Sequence, residues 1–149
     1  MTQQRRSVLV TGGSRGIGHA VAKELSKDHH VLVGGTHPDT VNAVVGQLDD
    51  AEPFIADLTD AQAVAEAVAA VDRLDAVVHS AGTYGSGNTL AQTSRSEWRD
   101  VLELNVVAVA DLTAQLLPLL RDSHGQIVMI NSGSCLLYTS DAADDSLRV

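Results

Sequence analysis

Apolar residues along the chain fall into two alternating rhythms. Short unbroken runs occur at 7–10 (SVLV), 31–35 (VLVGG), 53–57 (PFIAD), 74–80 (LDAVVHS) and 125–131 (GQIVMIN), each too short for a helix and each expected to be a strand. Between them the apolar positions take a helical spacing: over 19–27, over 41–48, through Val64, Val68 and Val71, and over the long stretch 95–121. Thr59 with Gln62, and Ser94 with Glu97, have the spacing of a capping box ahead of two of these helices. Pro118 is expected to kink or end the last one. Strands alternating with helices, each strand unbroken in its apolarity, imply a parallel sheet covered on both faces. The expected fold is a single α/β domain, doubly wound, with no repeat or linker before residue 135.

Composition narrows the function. A net charge of −9 and an isoelectric point near 4.8 repel nucleic acid and anionic membrane surfaces, so a small molecule or a protein is the expected partner. Hydrophobic residues make up 44% of the chain, but Phe54, Tyr84, Trp98 and Tyr138 are its aromatics, so the core must be aliphatic. Cys135 stands alone, which excludes an internal disulfide and a thiolate zinc site and suits a reducing compartment. The six histidines are scattered without metal-ligand spacing, so no metal is expected. With no credible leader at the start and no uncharged run of roughly 18 apolar residues, a cytoplasmic location is expected.

The stretch TGGSRGIG at 11–18 lies between the first strand and the first helix, where main-chain N–H groups and the positive end of the helix dipole converge. Gly12 and Gly16 would allow close approach of a pyrophosphate, and Gly18 would let the helix pack tightly on the strand. Taken alone, the stretch also reads as a glycine-rich turn with no ligand.

Its pattern, Thr-Gly-x-x-x-Gly-x-Gly, resembles the fingerprint of the short-chain dehydrogenase/reductase family, and four further matches follow in that family's order. Asp57 and Leu58 follow the third strand, where the family contacts adenine. His79, Ser80, Ala81 and Gly82 follow the fourth, where the family usually has Asn-Asn-Ala-Gly. Asn105 stands at the family's structural and proton-relay asparagine, and Ser132 ends the fifth strand at the position of its catalytic serine. Singly, Ser132 reads as a strand-end cap, Asn105 as a helix-bending polar residue and Asp57 as a solvated turn residue.

The resemblance implies a Rossmann-like sheet and a nicotinamide dinucleotide held by Thr11, Gly12, Ser14, Arg15, Gly16, Ile17 and Gly18, by Thr36 and His37, by Asp57 and Leu58, and by Ser80, Ala81 and Gly82. An acid at the end of the second strand would favour NAD(H). Here that end reads Gly34, Gly35, Thr36, His37, with no carboxylate until Asp39, while Arg15 in the loop can meet a 2′-phosphate. NADP(H) is therefore the expected cofactor, in preference to NAD(H).

The reaction implied is hydride transfer between nicotinamide and a carbonyl or secondary alcohol, with Ser132 and Asn105 as catalytic residues. The family's tyrosine, with a lysine four residues later, is its proton donor. Tyr138 comes six residues after Ser132, too soon for the intervening loop, and is followed at that spacing by Ala142. No Tyr-x-x-x-Lys occurs, and Lys27 is the last lysine. The segment CLLYTSDAADD resembles the translation of a transposase-type sequencing adapter, so residues 135–149 are expected to be a non-native tail on a dinucleotide-binding domain of residues 1–134. The chain is then a fragment, truncated after the fifth strand and inactive, drawn from a parent that the resemblance implies to be a homo-oligomer. Substrate recognition would reside largely in the absent part.

Overall fold

The computed structural model describes residues 5–87, 89 and 91–131. Its strands are β1 (Ser7–Val10), β2 (His30–Gly35), β3 (Ala51–Ile55), β4 (Ala76–His79) and β5 (Gln126–Met129), and its helices are α1 (Gly16–Leu25), α2 (Pro38–Val45), α3 (Ala61–Ala69), α4 (Arg95–Leu102) and α5 (Ala108–Asp122). The five strands form one parallel sheet in the order β3-β2-β1-β4-β5. This is the expected Rossmann-like α/β architecture.

Successive residues of a strand point to opposite faces, and β1 divides its side chains accordingly. Leu9 joins Leu32, Val77, Leu112, Leu116 and Leu120 under α3 and α5, while Val8 and Val10 join Val31, Val33, Val41 and Val78 under α1 and α2. One face is thus packed largely with leucine and the other with valine, and the core is aliphatic as composition requires.

The outer strands differ from the expectation of burial on both faces. In β3 only Phe54 is buried, and Pro53 pairs in register with Val33 at the sheet's edge, where a missing N–H is tolerated. β3 also starts and ends earlier than the apolar run suggests, which leaves Asp57 in the following loop. At the other side of the described sheet, Ile127, Val128, Met129 and Ile130 remain 41–59% exposed.

Pro118 does not end its helix: α5 runs through it to Asp122. A π-helical turn, Glu103–Val107, joins α4 to α5. Among the described residues, the helical stretch Arg95–Asp122 is the one long and apolar enough to cross a membrane by length and composition. Here Leu112, Leu116 and Leu120 bury its inner face on the sheet.

Candidate nucleotide cleft

The winding reverses between β1 and β4, so the loops leaving their carboxyl ends part and open a crevice there. Thr11, 1% exposed, forms its floor. The Thr11 hydroxyl oxygen accepts from the backbone N–H of Ser80 (3.0 Å) and of Ala81 (3.1 Å), binding the glycine loop to the residues after β4. A hydroxyl in this position satisfies two donors that a valine would leave unpaired.

Two glycines give the loop its course. Gly16 has φ +56°, and a Cβ there would meet no protein atom within 4 Å, so the loop is open on that side. At Gly18 a Cβ would stand 2.3 Å from the Gly12 carbonyl oxygen; its hydrogen is what lets α1 start against the loop. The first residue before α1, Arg15, provides no side-chain cap, and the first turn carries no acid. The N–H groups of that turn are therefore free to meet an anion, reinforced by the helix dipole. Among the described residues Arg15 makes no ion pair.

A cleft of about 460 Å³ lies over this loop. Of the residues expected to contact a dinucleotide, it brings together Thr11, Gly12, Ser14, Arg15, Thr36, Asp57, Leu58, Ser80, Ala81 and Gly82. Gly16, Ile17, Gly18 and His37 do not line it. Gly18 is buried behind the loop, Ile17 is 63% exposed, and His37 is spent as the residue before α2. The fold adds Phe54, Ala56, Thr59, Thr83, Asp100 and Leu104. Asp100 and Leu104 could have been inferred from their four-residue spacing on the long helix; Phe54 could not, because its inward direction depends on the register of β3.

Asp57 accepts from the N–H (2.9 Å) and hydroxyl (2.7 Å) of Thr59, and these bonds hold its carboxyl below the ordinary carboxylate range. Thr59 is thereby committed to Asp57, so the cap of α3 is Asp60, which accepts from Gln62 and Ala63. The expected Thr59 capping box does not form. At α4, Ser94 does accept from Glu97 N–H (3.1 Å), but the Glu97 carboxylate turns to Ser86, accepting from its N–H (2.6 Å) and from its hydroxyl. These bonds lower the Glu97 pKa.

Asn105 lies in the π turn and clamps Thr83 from both sides, its Oδ1 accepting from Thr83 N–H (2.9 Å) and its Nδ2 donating to Thr83 O (2.8 Å). The next residue, Tyr84, is fully exposed beside the cleft. Ser132, Cys135 and Tyr138 lie outside the described residues. Among the described residues no cluster of three or more metal-binding side chains occurs.

A profile of the short chain dehydrogenase family matches residues 6–142. The chain is 34% identical to nodulation protein G of Rhizobium sp. (strain N33), covering 85% of itself and 54% of that protein, and 31% identical to the NADPH-dependent pterin aldehyde reductase of Arabidopsis thaliana, covering 86% and 57%. Among solved structures it resembles the oxidoreductase yciK of E. coli (TM-score 0.80, 29% identity, 87% of this chain and 59% of the other) and the RhlG/NADP active-site complex of Pseudomonas aeruginosa (TM-score 0.77, 33% identity, 87% and 55%). The chain thus spans about half the length of the curated relatives it matches. With the 3-2-1-4-5 sheet, the threonine-floored loop and a profile that runs almost from end to end, the chain belongs to the short-chain dehydrogenase family of oxidoreductases.

Proposed function

We propose that this chain forms the dinucleotide-binding part of an oxidoreductase that uses NADP(H) in preference to NAD(H) and acts on a carbonyl or secondary alcohol. One observation carries the cofactor choice: Arg15, free of any ion pair among the described residues, lines the same cleft as Thr36, and no carboxylate follows β2 until Asp39 in α2. A guanidinium at that point favours a 2′-phosphate, which an acid would repel. Two relatives support this reading, since the names of the Arabidopsis reductase and the Pseudomonas complex include NADPH and NADP.

Bound nicotinamide would supply the hydride. The chain's own residues hold the pyrophosphate at the open first turn of α1, the adenine side at Asp57 and Leu58, and the nicotinamide side at Ser80–Gly82. Because its amide is committed to Thr83, Asn105 serves through its side chain as a positioning residue. Ser132 would contact the substrate oxygen, and Tyr84 would flank the substrate. The parent acts as a homo-oligomer in the cytoplasm on a small molecule, with neither nucleic acid nor membrane as partner.

The test is a pair of calorimetric titrations. NADPH is expected to bind at least about tenfold more tightly than NADH, and Arg15→Ala to weaken NADPH about 10–100-fold with little change for NADH, the value of one charge-assisted contact. Equal affinities would sink the preference.

A second reading is a non-catalytic NADP(H)-binding module or an inert fragment. Loss of the proton donor alone removes roughly two to four orders of magnitude of rate. NADPH oxidation with a panel of ketones and aldehydes separates the readings: turnover at ordinary rates excludes the silent module, and tight binding without turnover supports it.

A further inference from the structure

His79, the last residue of β4, is 5% exposed and immediately precedes the cleft residues Ser80–Gly82. Its Nε2 lies 2.9 Å from the Thr113 hydroxyl on α5. That hydroxyl donates its single proton to Val109 O at 2.7 Å, so the proton in the contact with His79 must belong to Nε2. Nδ1 is then a bare acceptor, and it is buried with no hydrogen-bonding partner among the described residues. A second proton would place an N–H there without an acceptor and a charge in an apolar site.

Among the described residues nothing nearby would compensate. The adjoining strand β5 presents Met129 in register, and α5 presents Thr113; Asp111, the carboxylate in that part of α5, accepts from Gln115 instead (2.8 Å). Burial lowers the His79 pKa, and no neighbouring carboxylate or cation contributes.

We propose that His79 is a positioning residue for the nucleotide cleft: neutral, with its proton on Nε2, it fastens α5 to the tip of β4, and a second proton, on Nδ1, leaves a charge and an unpaired N–H in the apolar site, which drives the ring toward solvent, breaks its bond to Thr113 and weakens nucleotide binding. The inference rests on the reading of the cleft as a dinucleotide site. The affected parts are connected, since Ser80 and Ala81 hang from Thr11, and Asn105, just ahead of α5, clamps Thr83.

The experiment uses the full chain and its His79→Gln variant, which keeps an amide donor for Thr113 but does not titrate. NADPH dissociation constants are measured downward from pH 7.5 until the nitrogen-15 shifts of the His79 ring show its second proton. Protonation of the cofactor phosphate affects both proteins alike, so the ratio of wild-type to variant constants isolates His79. That ratio is expected to climb toward about tenfold per unit of pH below the His79 pKa, as the competent fraction falls; a ratio that stays flat through the pH at which the ring takes up its second proton overturns the proposal. Nitrogen-15 shifts of the His79 ring in the wild-type protein provide a second measurement that survives a variant's failure to fold. A neutral ring protonated on Nε2 at pH 7.5 is expected, and a proton on Nδ1 overturns the proposal. If NADPH binds neither protein, the cofactor reading and the nucleotide role of His79 both fall, whereas a proton on Nδ1 with NADPH binding intact defeats His79 alone.

Discussion

Where the strands begin, Arg5, His30, Asp50, Glu52, Arg73 and Asp75 commit their charges to one another; where the strands end, Arg15 lines a cleft and, among the described residues, forms no ion pair. His30 Nδ1 lies 2.7 Å from Asp50, which also meets Arg5 at 3.3 Å, and its Nε2 lies 3.4 Å from Glu52. Arg73 grips Asp75 through two nitrogens at 2.8 and 3.1 Å, and Asp75 also accepts from Ser7 N–H (2.8 Å). Each end carries a cleft of about 460 Å³. Volume therefore does not distinguish them. The difference is that one end satisfies its polar groups internally, as a structural seam does, and the other leaves a helix start with no side-chain cap and no acid in its first turn.

Substitutions at the two ends should separate accordingly, the largest effect coming at the glycine loop. Gly18→Ala sets a methyl against the Gly12 carbonyl, and neither is the end of a flexible side chain. We expect a loss of about 3 kcal/mol or more in denaturant unfolding, with NADPH binding lost alongside. Thr11→Val should cost about 2 kcal/mol, because the Ser80 and Ala81 N–H groups lose their acceptor, and should weaken NADPH as well.

At the opposite end, changes should move stability and leave NADPH affinity alone. Arg73, then burial acting the other way, then the Ser7 N–H set the Asp75 pKa, and the net is a lowering. Its contribution is present above the unfolded value of 3.8 and is lost as pH falls through the folded one. The stability difference between wild type and Asp75→Asn should accordingly be full at neutral pH and shrink in acid. Burial opposes charge on His30, but its bonds to Asp50 and Glu52 outweigh it and raise the pKa above 6.5. Its contribution is full below 6.5 and is lost as pH rises through the folded value, so the margin of wild type over His30→Gln should fade on the alkaline side. This is the smallest effect, since both partners are partly solvated. A change in NADPH affinity from either variant would break the contrast between the ends.

The sequence made the loop from Thr11 to Gly18 readable because its demands are local: a turn, a close approach and a helix start within eight residues. Ser94 was readable as a cap for the same reason, and Thr59 was not, because Asp57 two residues earlier competes for its hydroxyl and N–H. The seam at the strand starts joins Ser7 to Asp75 and His30 to Asp50, and the clamp on Thr83 comes from Asn105. No periodicity marks such pairs, because register and helix docking bring them together. His79 shows the same limit. Its place in the motif was evident, while its bond to Thr113 depends on how α5 lies across β4.

Pro53 also shapes what the outer edge of β3 can accept. Asp50 O accepts from Val31 N–H and Ala56 N–H donates to Gly35 O, so even-numbered positions of β3 turn toward β2 and Pro53 falls among those turned outward. A strand arriving on that border finds a rung with no donor. A strand added on that border would lose one main-chain bond at its centre, so the edge of β3 is guarded against accretion.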